Sequence, residues 1–183
     1  LLLYISLLLS PFLAAQTKIA CVGDSITFGA GIQNRDENCY PAQLQKLLGQ
    51  KYEVRNFGVS ARTMLNKGDR PYTQEKAYRD SLAFTPDIVI IKLGTNDAKP
   101  ENWRFKADFP KDTITLIESY KELASKPRII LCFPAPVTQT RWNITEEITR
   151  GEVAPLLREV AQSEKVEFHD FYPALQDHDA WFP

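Results

Sequence analysis

Metal-binding and redox motifs are missing from this chain. It holds two histidines, three cysteines and one methionine in 183 residues. No Cys-x-x-Cys pair and no histidine cluster occurs, so neither a metal nor a cofactor is expected. An excess of one charge is also lacking: 22 basic residues face 23 acidic ones. That balance argues against a nucleic-acid groove or a polybasic membrane patch. Long apolar runs are absent too. The longest, LLLYISLLLSPFLAA over residues 1–15, is broken by Ser10-Pro11 and is too short to span a bilayer. No stable membrane anchor is expected. The small residues at its end instead predict a signal peptide cleaved after Ala15, and an exported, periplasmic or secreted protein. Position 1 is not methionine and no basic stretch precedes the run, so the chain is expected to begin inside that peptide. Export would place Cys21, Cys39 and Cys132 in an oxidising compartment, where an odd count leaves at least one unpaired. Cys21 and Cys132 fall in expected core strands and read as small buried apolar residues. Lys18 weakens a lipoprotein reading of Cys21, because it stands where an aliphatic residue is needed.

What remains is enough for one domain, residues 16–183, with a sizeable core. The organising stretch is Lys18 to Gly29, where an apolar run turns abruptly into Gly23-Asp24-Ser25. Such a pattern suits a buried strand ending in a tight turn that lifts a serine out of the sheet, with Gly23 permitting the turn. It suits a strand followed by a helix N-cap equally well, since Asp and Ser both cap helices. Further on, Pro41 to Gly49 predicts a short helix with Pro at its start and Gly at its end. A strand is expected over Tyr52–Phe57 and a helix over Tyr72–Phe84, stopped by Thr85-Pro86. Asp87–Leu93 is the clearest strand, and its nearly unbroken apolar run predicts burial on both faces, as in a parallel sheet. After it come a helix near Asp112–Ala124, a strand at Arg128–Phe133, a helical region over Thr145–Ser163 kinked or restarted at Pro155, and a last strand at Val166–His169.

Five strands alternating with helices predict an α/β sheet covered on both faces. Ligands in such sheets bind at the carboxyl ends of the strands. In a flavodoxin-like order, 2-1-3-4-5, the first three strands are neighbours. Their end loops, Gly-Asp-Ser, Asn-Phe-Gly and Gly-Thr-Asn-Asp, then converge on one rim. There Ser25 is a candidate nucleophile. The N–H groups of Ser25 and Gly58 and the side-chain amide of Asn96 are candidate donors to a tetrahedral oxyanion. Singly, each residue has a plainer reading, Gly58 as a turn glycine and Asn96 as a loop cap.

Three stretches together resemble a known family. Gly23-Asp24-Ser25-Ile26-Thr27-Phe28-Gly29, Asn56-Phe57-Gly58-Val59-Ser60 and Gly94-Thr95-Asn96-Asp97 are similar in order and spacing to the first three sequence blocks of the SGNH, or GDSL-type, esterases and lipases. The resemblance covers Thr17 to Pro183. It implies a flavodoxin-like three-layer α/β/α sandwich with a five-stranded parallel sheet, and ester hydrolysis through an acyl-enzyme. By position it implies Ser25 as nucleophile and Ser25, Gly58 and Asn96 as oxyanion hole, with Asp24 and Asp97 bracing their turns. The fourth block of the family is an Asp-x-x-His motif that supplies the general base, and no Asp-x-x-His occurs here. The chain is therefore expected to stop before that block and before the family's final helix, and by itself to be nearly inactive. His169 ends the fifth strand, roughly 14 Å from the first at the usual strand spacing, too far to serve Ser25. His178 lies in the acidic stretch Asp177-His178-Asp179.

The loops at the rim carry all three tryptophans, Trp103, Trp142 and Trp181, near Arg62, Lys99, Arg104 and Arg141. Flat rings among polar groups suit a sugar, although the same rings also serve to pin long loops. The chain is also similar to exported bacterial carbohydrate acetylesterases of the family, including sialate O-acetylesterases. The expected substrate is a small acylated molecule, an acetylated sugar before a lysophospholipid or thioester. A non-catalytic glycan-binding module on the same scaffold stays open.

Overall fold

A computed structural model describes residues 15–176 and 178. Five strands, β1 (Thr17–Gly23), β2 (Tyr52–Gly58), β3 (Ile88–Lys92), β4 (Arg128–Cys132) and β5 (Glu167–His169), form one sheet in the order 2-1-3-4-5. Every pairing is parallel. This is the expected flavodoxin-like α/β architecture. The central strands are rich in Val and Ile, which suit a pleated surface buried on both sides. The expected signal peptide lies almost entirely outside the described residues.

Register decides where the site sits. Gly23, the last residue of β1, pairs with Gly58 on β2 and with Lys92 on β3. Three neighbouring strands thus end at one level, and their following loops share one edge of the sheet.

Alternation along the strands sorts the two faces. Val89, Ile91, Ile129 and Leu131 enter the main hydrophobic core together with Leu116, Tyr120 and Leu157. Three helices carry the covering side chains: α3 (Lys76–Ala83), α4 (Phe109–Lys121) and α5 (Ala154–Glu164). Ile90, Lys92 and Cys132 point the other way. They floor an apolar groove of about 470 Å3, walled by Tyr40 and Leu47 of helix α2 (Tyr40–Leu48) and by Phe171. Leu47 is 84% exposed on that wall. Among the described residues, no helix is long and apolar enough to cross a membrane.

Three helical stretches differ from expectation in instructive ways. The stretch from Tyr72 opens as a 3-10 turn, Tyr72–Gln74, before α3 begins. The reason is tertiary: Tyr72 is buried and its hydroxyl donates to the Phe57 carbonyl at 2.7 Å. α4 starts at Phe109, earlier than expected, because Pro110 fits the first turn of a helix, where no N–H is needed. Before α5 the backbone makes a π turn, Thr149–Val153. Pro155 has no N–H to give the carbonyl four residues back, and a shifted ladder absorbs the defect.

Candidate active site

The sheet ends and the serine begins within two residues. Asp24 is the N-cap of a single helical turn, α1 (Ser25–Phe28), and its Oδ1 accepts the Ile26 N–H at 3.0 Å. Ser25 is the first residue of that turn and is half-buried. Both readings of the motif therefore hold at once: Asp24 caps, and Ser25 is raised on the capped turn. Gly23 is needed for space rather than for a positive φ, which it lacks. A Cβ there would lie 2.1 Å from Thr27 Oγ1 and 2.5 Å from the Lys92 carbonyl oxygen. Gly29, at φ 88, closes the turn in the left-handed region.

Gly58 is required for the same steric reason. A Cβ on it would lie 2.2 Å from the Phe28 nitrogen, so α1 rests directly on the end of β2. Its N–H, expected to be an oxyanion donor, already donates to Asn56 Oδ1 at 2.9 Å. Asn56 in turn donates from Nδ2 to the Thr27 carbonyl at 2.8 Å. One amide thus clamps α1 to β2, which motif reading did not find. The next loop holds a second unforeseen feature. Ala61 has a φ of 66, a left-handed conformation that L-residues other than Asn and Asp seldom adopt. Among the described residues, no acceptor meets the N–H of Ser25 or of Ala61.

Asn96 and Asp97 lie in the turn after β3 and are both buried. Asn96 Nδ2 donates to the Arg62 carbonyl at 3.1 Å, one residue beyond Ala61, and its second proton has no acceptor among the described residues. The Asp97 carboxylate, expected to brace its own turn, reaches across to the loop after β2, where it accepts the N–H groups of Met64 and Leu65 at 2.9 and 2.8 Å. Burial pushes its carboxyl up to about 7, against the pull of those two donors. The loops after β2 and β3 are thereby locked together beside Ser25.

The remaining sequence candidates divide. His169 ends β5, three strands from β1 in the sheet order, and its ring lies edge-on to Phe171 at 4.4 Å. His178 is exposed. Cys21, Cys39 and Cys132 are all free and buried. Trp103 offers no stacking face: it is 6% exposed, edge-on to Phe109, and its Nε1 donates to Glu152 at 2.8 Å. It ends a short helix, Pro100–Trp103, and its indole fills part of the main core. Trp142, by contrast, is 74% exposed. With Asn143 it forms a two-residue left-handed tip, φ 53 and 57, closed by the Ile144 N–H on the Arg141 carbonyl at 2.9 Å. Arg141 stands beside it in solvent. Arg62 pairs with Glu75 at 2.8 Å, Lys99 with Asp69 at 3.6 Å, and Arg104 stacks on Phe105. Trp181 lies outside the described residues. No cluster of His, Cys, Asp or Glu among the described residues is arranged to hold a metal.

The chain is similar to several known proteins. An acetylxylan esterase of Xylanibacter ruminicola is 45% identical over 175 residues, covering 86% of this chain and 36% of that protein. The chain thus spans about a third of the length of that curated relative. Two solved structures share the fold at 22% identity. Est24, a carbohydrate acetylesterase from Sinorhizobium meliloti, superposes with a TM-score of 0.67, covering 85% of this chain and 84% of its own. An aryl esterase of M. smegmatis does so at 0.61, with the same shares of each chain. The model of the GDSL-like lipase/acylhydrolase family matches residues 21–183, and the chain belongs to that family.

Proposed function

We propose that the protein is a serine ester hydrolase that deacetylates a carbohydrate through an acyl-enzyme. Support comes first from one observation: three strands end in register and bring the loops of Ser25, Ala61 and Asn96 to one edge. Ser25 Oγ attacks the ester carbonyl as its proton passes to a base. The developing oxyanion takes the Ser25 N–H and the Asn96 amide. The N–H of Ala61 is proposed as third donor in place of that of Gly58, which Asn56 occupies. Collapse expels the sugar alcohol and leaves acetyl-Ser25, which water then hydrolyses. The base is proposed to be a histidine other than His169, which stands three strands away. Residues 1–15 are proposed to be signal peptide, and the protein to be exported. An acetylated sugar is the proposed substrate, since the 45%-identical relative is an acetylxylan esterase and Trp142 offers an exposed ring.

A long-chain acylhydrolase is the second reading. It is favoured by the apolar groove, which reaches Ile26 beside the nucleophile. Acyl-length profiles decide between the two. Acetyl esters should be cleaved fastest and octanoyl esters poorly, whereas the reverse order would favour the second reading. Ser25→Ala should abolish release of acetate from acetylated xylan oligosaccharides, and turnover at the wild-type rate would move the chemistry elsewhere. Residues 16–183 produced alone should show only a small residual rate. Full turnover lost on His178→Ala would instead put the base at His178.

A further inference from the structure

β3 carries a charge where its pattern calls for a hydrophobe. Lys92 is 5% exposed and closes an otherwise apolar strand. Its Nζ donates to Thr95 Oγ1 at 3.1 Å and stands 3.8 Å from Asp24 Oδ1. Asp24 is wholly buried, and its Oδ2 is without a hydrogen-bond partner. A buried carboxylate left half-satisfied needs a counter-charge. The other groups facing the pair are poor substitutes. Cys132, on β4, is a thiol that burial pushes up to about 12, and Asp97 carries the wrong sign. Burial lowers Lys92, and Asp24 is the main influence that holds it up.

The position of the pair matters more than its existence. Asp24 precedes Ser25, so an unopposed carboxylate would sit against the edge where an oxyanion forms. We propose that Lys92 is a positioning residue for the ester hydrolysis assigned above: it cancels the charge of Asp24 and so lets an acidic N-cap hold the nucleophile turn without repelling the transition state. The inference rests on Ser25 being the nucleophile. Lys92 acts through Asp24 and does not touch substrate.

The test is a cycle of Lys92→Met, Asp24→Asn and the double variant in the full-length protein, assayed on p-nitrophenyl acetate. Lys92→Met should lower kcat roughly 10- to 100-fold, somewhat less than loss of a direct oxyanion donor, with KM little changed. Asn caps helices as well as Asp, so the double variant should recover most of the lost turnover and most of the lost Tm. Equal damage in Lys92→Met and the double variant, or no loss of kcat in Lys92→Met, would overturn the proposal. If Lys92→Met does not fold, the double variant carries the test, because the proposal requires that it fold and turn over. The Tm cycle separates the two readings. Coupling in Tm alongside a fully active Ser25→Ala would sink the nucleophile assignment while leaving the Lys92–Asp24 pair.

Discussion

Asn56 and Gly58 are joined within one strand end: the Gly58 N–H donates to Asn56 Oδ1 at 2.9 Å while Asn56 Nδ2 holds the Thr27 carbonyl. The amide satisfies both a strand-end donor and a helix-end acceptor. Asn56→Asp keeps the acceptor and loses the donor, leaving the Thr27 carbonyl unmet. A loss of about 0.5–1.5 kcal/mol, that of a typical hydrogen bond at a part-buried site, is expected, which differential scanning calorimetry should record as a Tm lowered by a few degrees. An unchanged Tm would mean that α1 is held elsewhere.

Ala61 adopts a φ of 66, where only its Cβ is at fault. Ala61→Gly removes the clash but frees the unfolded chain, so a net gain of about 0.5–1 kcal/mol is expected. Turnover should be retained, because the backbone N–H is unchanged. Urea unfolding measures the first and an aryl acetate assay the second. A destabilised variant would show that the Ala61 methyl packs rather than strains.

Trp103 and Trp142 should separate cleanly. Trp103→Ala empties a core position and should cost about 3–5 kcal/mol, read as a large fall in the urea midpoint. Trp142→Ala should leave stability untouched, since the ring is 74% exposed and Ala keeps the Cβ of the left-handed tip. If Trp142 stacks on sugar, this change raises KM for acetylated xylan several-fold and leaves p-nitrophenyl acetate cleavage alone. Equal effects on both substrates would remove the sugar reading.

Asp97 gives the fold a pH signature. Its folded carboxyl is raised to about 7 from an ordinary value near 3.8, so between these values the native state binds the proton more tightly than the unfolded chain. The stability this group confers is complete below pH 3.8 and is lost as pH rises towards 7. In Asp97→Asn that contribution to the slope of stability against pH should vanish between pH 4 and 7. Chemical unfolding at a series of pH values checks it, and an unchanged slope would exclude Asp97 as its source.

Much of this was legible in the residues. Asp87–Leu93 announced a doubly buried strand, and the three loops fell into place once the strand order was set. What escaped was side-chain direction. Trp103 looked like part of an exposed rim loop, yet it ends a short helix, its ring turns into the core and its Nε1 meets Glu152, 49 residues on. Asn56 looked like motif filler because its partner Thr27, 29 residues back in the chain, comes beside it only in the fold. Lys92 did leave a signal, a lone charge at the end of an apolar run. Ala61 left none, since Ala is not a residue that predicts a left-handed turn.

The packing around Gly23 and Gly58 also ties the nucleophile to the fate of the whole molecule. With no Cβ at either position, Thr27 of α1 closes directly on Gly23 of β1 and the Thr27–Phe28 backbone on Gly58 of β2. The turn is therefore part of the most cooperative unit of the fold, unlike the exposed tip at Trp142. The amides that tie the strand ends beneath it, such as the Val59 N–H on the Gly23 carbonyl at 2.9 Å, should exchange with deuterium only when the whole sheet opens. A protein built this way does not lose its serine turn before it loses its structure, so on heating the decline of activity and the decline of the sheet should follow one curve.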